Sequence, residues 1–131
     1  MIGSICLLAP RAFPQTASPR LLILDKAMSP WQRIVRVARP WLEAGCIVEY
    51  RRYHPYLVRE DGKNYDLIQI LGGRQPFLPD AKLTREDLDL LKQFHTEGKG
   101  IILSYPLAPG QEGQYDRQAM NQFLREIKAN V

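Results

Sequence analysis

Between Tyr65 and Ser104 two short, largely apolar runs flank one amphipathic segment, an order that calls for a strand, a crossover helix and a parallel strand. The first run, Leu67-Ile68-Gln69-Ile70-Leu71, places apolar residues at adjacent positions, the form of a strand buried on both faces. It ends in Gly72-Gly73, where the backbone can turn tightly or approach a ligand that a side chain would block. Thr84 then stands as an N-cap with Asp87 at the third helical position, and Leu83 and Leu88 are placed as a hydrophobic staple. Leu88, Leu91 and Phe94 recur at helical spacing until Gly98 ends the segment, and Gly100 to Ser104 supplies the second strand.

The flanking segments repeat this alternation. Leu21-Leu22-Ile23-Leu24 is another continuous apolar run, ending at Asp25. Ser29-Pro30 reads as an N-cap followed by proline in the first helical position, and Ile34, Val35, Ala38, Trp41 and Leu42 keep helical spacing up to Gly45. Pro40 removes one hydrogen bond from the last turn of that helix, to Arg36, and should kink it. Cys46 to Tyr50 reads as a strand, Asp61-Gly62 as a turn, and Asp116 opens a final helix with Met120, Phe123, Leu124 and Ile127 on one face. Strands alternating with helices pair in parallel through right-handed crossovers. The expected fold is therefore α/β, a three-layer flavodoxin-like open sheet of mainly parallel strands with helices on both faces.

A chain of 131 residues fits one domain, assigned to residues 20–131, without needing a staple. Residues 1–19 are expected to form an irregular arm or an extra edge strand. The apolar Ile2 to Ala9 and the prolines at 10, 14 and 19 also suggest a secretory signal, but a basic leading region and a small-residue cleavage site are missing. Cys6 and Cys46 lie among apolar neighbours, outside any metal-ligand spacing, and read as two buried thiols in a reducing compartment. No apolar run nears the ~20 residues of a membrane span, so the chain is expected to be soluble and cytoplasmic, secretion being the alternative. Charge is uneven: residues 1–60 hold nine Lys/Arg and four Asp/Glu, a balance of +5, whereas 61–131 hold nine and ten, a balance of −1. One side of the molecule is thus expected to be basic.

From Leu21 onward the order of segments resembles the class I glutamine amidotransferase-like superfamily. The resemblance rests on LLILDKAMSPW, on YDLIQILGG and on LTREDLDLLKQFHTEGKGIILSY, covers most of residues 20–128, and points to the non-catalytic members that serve as binding or interaction domains. It implies that Gly72-Gly73 match a glycine turn that helps form an oxyanion site in active members. Those members also carry a cysteine in a G-x-C-x-G elbow after the fourth strand, then a histidine and a glutamate. Here the elbow reads Gly100-Ile101-Ile102-Leu103-Ser104-Tyr105-Pro106, no cysteine follows Cys46, and His54 and His95 both precede it. Amide hydrolysis by that route lacks its nucleophile and its base. Fuller members continue with further strands, so a minimal or truncated version is expected.

Other chemistries leave weaker marks. Ser104 stands at the elbow position, but no histidine follows it and Tyr105-Pro106 is not a tight small-residue turn. Asp25 can position a ligand or metal, cap a turn, or pair with Lys26. A phosphorylated receiver needs an aspartate where this chain has Leu71-Gly72, and a flavin site needs a phosphate loop unlike Asp25-Lys26-Ala27-Met28-Ser29-Pro30. From Tyr50 to Arg59 aromatics interleave with cations, as on polyanion-binding surfaces, or as in a strand exit whose tyrosines cover the sheet while the arginines stay solvated. His54 and His95 are too isolated to suggest a metal.

The function expected from the sequence is that of a non-enzymatic ligand-binding or protein-interaction module without a cofactor. Its crevice would be lined by Asp25, Gly72, Gly73, Arg74, Ser104 and Tyr105, beyond the strand ends. The alternatives are a divergent hydrolase or transferase using the same crevice, and polyanion binding through Arg51, Arg52, Tyr53 and Arg59, with nucleic acid the lesser partner beside a protein or small ligand.

Overall fold

The computed structural model describes residues 2–7, 17–52, 56–72, 83–106 and 114–128, giving the backbone course alone for 2–7, 105–106 and 114–119. The elements are β1 (Ile2–Leu7), β2 (Arg20–Asp25), α1 (Trp31–Glu43), β3 (Ile47–Arg51), α2 (Asp61–Asn64), β4 (Leu67–Leu71), α3 (Arg85–Thr96), β5 (Gly100–Pro106) and α4 (Gln114–Glu126). They build one sheet of order β1-β5-β4-β2-β3. The four strands β3, β2, β4 and β5 run parallel, and β1 joins β5 antiparallel. This is the α/β open sheet that the alternation requires, in a strand order compatible with a flavodoxin-like fold.

Side chains alternate along each strand and so divide the core in two. Leu22, Leu24, Ile68, Ile70, Ile101 and Leu103 meet Leu88, Leu91 and Phe94 of α3 and Met120, Phe123 and Leu124 of α4. On the other face Leu21, Ile23, Leu67 and Leu71 meet Ile34 of α1, with Val37, Ala38, Trp41 and Val48 partly buried against them. Each large apolar side chain fully buried this way contributes about 1.5–3 kcal/mol of transfer free energy. The α3/α4 layer therefore outweighs the α1 layer.

Local chemistry explains the element ends. Thr84 accepts from the Asp87 amide at 3.1 Å while the Asp87 carboxylate accepts from the Thr84 amide at 2.9 Å, a reciprocal capping box. Leu83 and Leu88 are both buried beside it. At α1 the expectation of a Ser29 cap fails. Pro30 occupies the N-cap with extended backbone and no side-chain cap, because the Ser29 hydroxyl is drawn to Asp25 instead. The helix continues through Pro40 to Glu43. Asp61-Gly62 begins a four-residue helix where a turn was expected, and Cys46 is a free thiol only partly buried.

Candidate functional site

Parallel register sets Leu24 beside Arg51, which carries Asp25 at the end of β2 up to the hydroxyl of Tyr50 in β3 and to Arg52 just beyond that strand. Asp25 is wholly buried and accepts five hydrogen bonds. Oδ1 takes the Ala27 amide at 3.1 Å and the Ser29 hydroxyl at 3.0 Å, and Oδ2 takes the Ser29 amide at 2.8 Å, Tyr50 Oη at 2.7 Å and Arg52 Nη2 at 3.3 Å. Arg52 also donates to the Ser29 carbonyl and through Nε to Tyr50 Oη. Burial, then the Asp25 carboxylate, pushes the Tyr50 hydroxyl up to about 12. The aspartate thus folds the 26–30 loop against β3, and both its oxygens are committed to that task.

The loop held this way includes Met28 at φ 48, a left-handed conformation uncommon for a side chain of this size. Amides on either side of Met28, those of Ala27 and Ser29, bond to the Asp25 carboxylate, which fixes the turn. Lys26 is buried, with Nζ 4.1 Å from the centre of the Tyr56 ring.

At the switch point of strand order, between β2 and β4, and between β4 and β5 beside it, the parallel ladders run on past the strand ends. The Lys26 amide donates to the Leu71 carbonyl at 3.0 Å, and the Gly72 amide donates to the Ser104 carbonyl at 2.9 Å. The Gly72 amide is thereby used by the sheet and is not offered to an oxyanion. Ser104 is buried, and its hydroxyl accepts from Gln69 Nε2 at 3.2 Å, while Gln69 Oε1 accepts from Trp41 Nε1 at 3.1 Å. That relay ties β5, β4 and α1 together and holds no base that activates a serine. Gly73 and Arg74 lie outside the described residues, as do Tyr53 and His54, and Tyr105 is described only as a backbone position of β5 opposite Gly3.

The basic aromatic segment also turns inward. Arg51 forms a two-pronged pair with the buried Asp61, Nη1 to Oδ2 at 2.7 Å and Nη2 to Oδ1 at 2.9 Å, and Nη1 reaches the Tyr56 carbonyl at 2.8 Å. The Asp61 carboxylate raises the already high pKa of the guanidinium. Asp61 further accepts from the Val58 amide at 2.8 Å, so the pair shapes the loop between β3 and α2. Beside it Glu49 accepts from Tyr65 and pairs with Arg20; the hydrogen bond from Tyr65, then that from Arg20, lowers its pKa. Arg59 stands exposed in the turn before α2. Of the four residues singled out for polyanion binding, Arg51 and Arg52 are engaged within the fold.

Two surface features were missed in the sequence. An open depression of about 500 Å³ is lined by Met28, Ser29, Pro30, Trp31, Tyr50 and Arg52, on the β3 side of Asp25 and away from the switch point. Moreover, the large apolar side chains exposed among the described residues, Trp31, Val35, Leu42, Ile47 and Tyr50, all belong to α1 and β3. Trp31, at 69% exposure, is the most open of them. The signal for that edge was present: α1 has more apolar positions than one face of a sheet can cover. No group of acidic, histidine and cysteine side chains able to hold a metal occurs among the described residues, and none of their helices is long and apolar enough to cross a membrane. Comparison with family models, with curated proteins and with solved structures returns no match.

Proposed function

We propose that the chain is a non-catalytic, amidotransferase-like α/β domain that works as a protein-interaction module, with its contact surface on α1 and β3. The observation that carries this reading is that the large apolar side chains exposed among the described residues, Trp31, Val35, Leu42, Ile47 and Tyr50, all belong to α1 and to β3, whose strand partner among the described residues is β2 alone. Scattered apolar side chains are normal on a surface, whereas a gathered set marks a contact site. The reactive groups of the expected crevice support the same reading from the other direction. Asp25 is saturated by donors, Ser104 is bound to Gln69, and the Gly72 amide is spent on β5.

The test is a photo-crosslinking amino acid placed at Val35, with Lys63 on α2 as the control position, in the cells that make the protein. A discrete adduct at position 35 and none at 63 is expected. Absence of any adduct at position 35, with a second copy or with another protein, overturns the interaction reading.

A second reading, binding of a small anionic ligand, is favoured by the depression between Trp31, Tyr50 and Arg52. It lies at the first turn of α1, which carries no acidic residue to oppose an anion. Titration of inorganic phosphate against the emission of a Trp41→Phe variant, which leaves Trp31 as the reporter, tests it. A saturable change lost in Arg52→Ala is expected, and an unsaturable response matching that of free tryptophan overturns it.

A further inference from the structure

We infer that the depression between the start of α1 and the end of β3 takes a ligand that joins a flat aromatic ring to a phosphate, the chemistry of a mononucleotide. The inference rests on the anionic-ligand reading above and adds the ring. The size suits such a ligand: about 500 Å³ lies within the about 300–1,000 Å³ usual for small-molecule sites. The lining suits it too, because Met28, Pro30, Trp31 and Tyr50 supply apolar and aromatic surface while Ser29 and Arg52 supply a few polar groups.

Most of this lining is held in place by the fold. The Asp25 carboxylate accepts from the Ser29 amide and hydroxyl, from the Tyr50 hydroxyl and from Arg52 Nη2. It also accepts from the Ala27 amide, so Met28 is pinned between two bonded neighbours. Pro30 leads into α1 with extended backbone, φ −64 and ψ 150, which sets Trp31 as the first helical residue. Walls fixed before a ligand arrives lose little freedom when it binds.

Trp31 is the ring that the fold leaves over. Among the described residues Tyr50, Tyr56 and Tyr65 each face a cation, Arg52 at 5.6 Å, Lys26 at 4.1 Å and Arg20 at 5.7 Å, and Trp41 donates to Gln69. Trp31 faces no cation among those residues and is 69% exposed. An indole open to water at the rim of a part-polar depression offers a stacking face to a heterocyclic ring.

The phosphate has its own receiver. Arg52 spends Nε on Tyr50 and Nη2 on Asp25 and the Ser29 carbonyl, so among the described residues Nη1 makes no hydrogen bond. The first turn of α1 adds Arg33 and no acidic residue. The Asp25 charge, which would oppose an anion, is wholly buried and paired with Arg52. An anion alone leaves Trp31 in water, and a ring alone leaves Nη1 unmatched. A ligand with both uses the whole lining.

Isothermal titration calorimetry of the full chain with adenosine monophosphate, ribose phosphate, adenosine and inorganic phosphate tests the proposal. Adenosine monophosphate is expected to bind at least about 10-fold tighter than either ribose phosphate or adenosine. In Trp31→Ala, with the circular dichroism of the parent, its advantage over ribose phosphate should disappear. Saturable binding of phosphate with no preference for adenosine monophosphate overturns the ring and leaves the anionic-ligand reading standing, as does a preference that survives in Trp31→Ala. Adenosine that binds as well as its monophosphate overturns the pairing of ring and phosphate. Absence of binding by all four up to about 10 mM defeats this inference and the anionic-ligand reading together.

Discussion

Removing the Asp25 carboxylate would strand the Ser29 amide and hydroxyl at once, and would take from the Tyr50 hydroxyl and from Arg52 Nη2 the carboxylate each donates to. Breaking a buried charge pair from one side costs about 3–5 kcal/mol, and because the Arg52 side chain keeps 26% exposure the lower part of that range applies. Asp25→Ala is therefore expected to lose roughly 3 kcal/mol in urea unfolding, against ~1 kcal/mol for Ser104→Ala, which removes one neutral hydrogen bond. Equal losses in the two variants would count against the aspartate as the organiser of the loop. Tyr65 offers a pH-dependent counterpart. Burial, then its hydrogen bond to Glu49, pushes the hydroxyl from 10.0 up to about 12. The folded state thus holds a proton that the unfolded state has released between these values, so stability is complete below pH 10 and declines as pH rises toward 12. A shift of this size corresponds to an upper bound of about 2–3 kcal/mol. Unfolding midpoints measured from pH 9 to 12 should fall less steeply in Tyr65→Phe than in the parent, and parallel slopes would refute the assignment.

At the scale of elements, two glycines are required for different reasons. A Cβ on Gly62 would sit 2.7 Å from Cε1 of Phe94 and 2.9 Å from Oε2 of Glu97, and Phe94 is fully buried under the sheet. Gly62→Ala should therefore push α2 off α3 and cost about 1–3 kcal/mol. Gly98 has open space around it but φ +82, so Gly98→Ala costs ~1 kcal/mol through backbone strain alone. Restoring room with Phe94→Leu in each background separates them: the Gly62→Ala penalty should shrink and the Gly98→Ala penalty should persist, as read by urea midpoints. The positive φ of Gly98 was legible in the sequence, as were the capping box of α3 and the apolar runs of β2, β4 and β5, because each depends on neighbours a few residues away. The crowding at Gly62 was not, since Phe94 lies 32 positions downstream and only packing brings it there. The surroundings of Asp25 were not legible for the same reason. Tyr50 and Arg52 belonged to one motif and Asp25 to another, and the register of two parallel strands unites them. In α1 the spacing was right but ambiguous, because periodicity gives an apolar stripe without saying which part of it the sheet will cover.

Across the whole molecule the two layers on the sheet are held unequally, and this should govern how it opens. α3 buries Leu88, Leu91 and Phe94, and α4 adds Met120, Phe123 and Leu124 to the same cluster. In α1 Ile34 alone is fully buried, Val35 and Leu42 are exposed, and Pro40 deprives the Arg36 carbonyl of its amide partner. Regions with few buried apolar contacts unfold locally at lower free energy than the global transition. In dilute solution the amides of Val35 to Leu42, Pro40 excepted, should therefore exchange at least ~10-fold faster than those of Leu88 to Phe94, whose protection should approach that of global unfolding. Hydrogen exchange followed residue by residue reads the difference between the two helices directly. Equal protection of the two helices in dilute solution would refute the unequal layers.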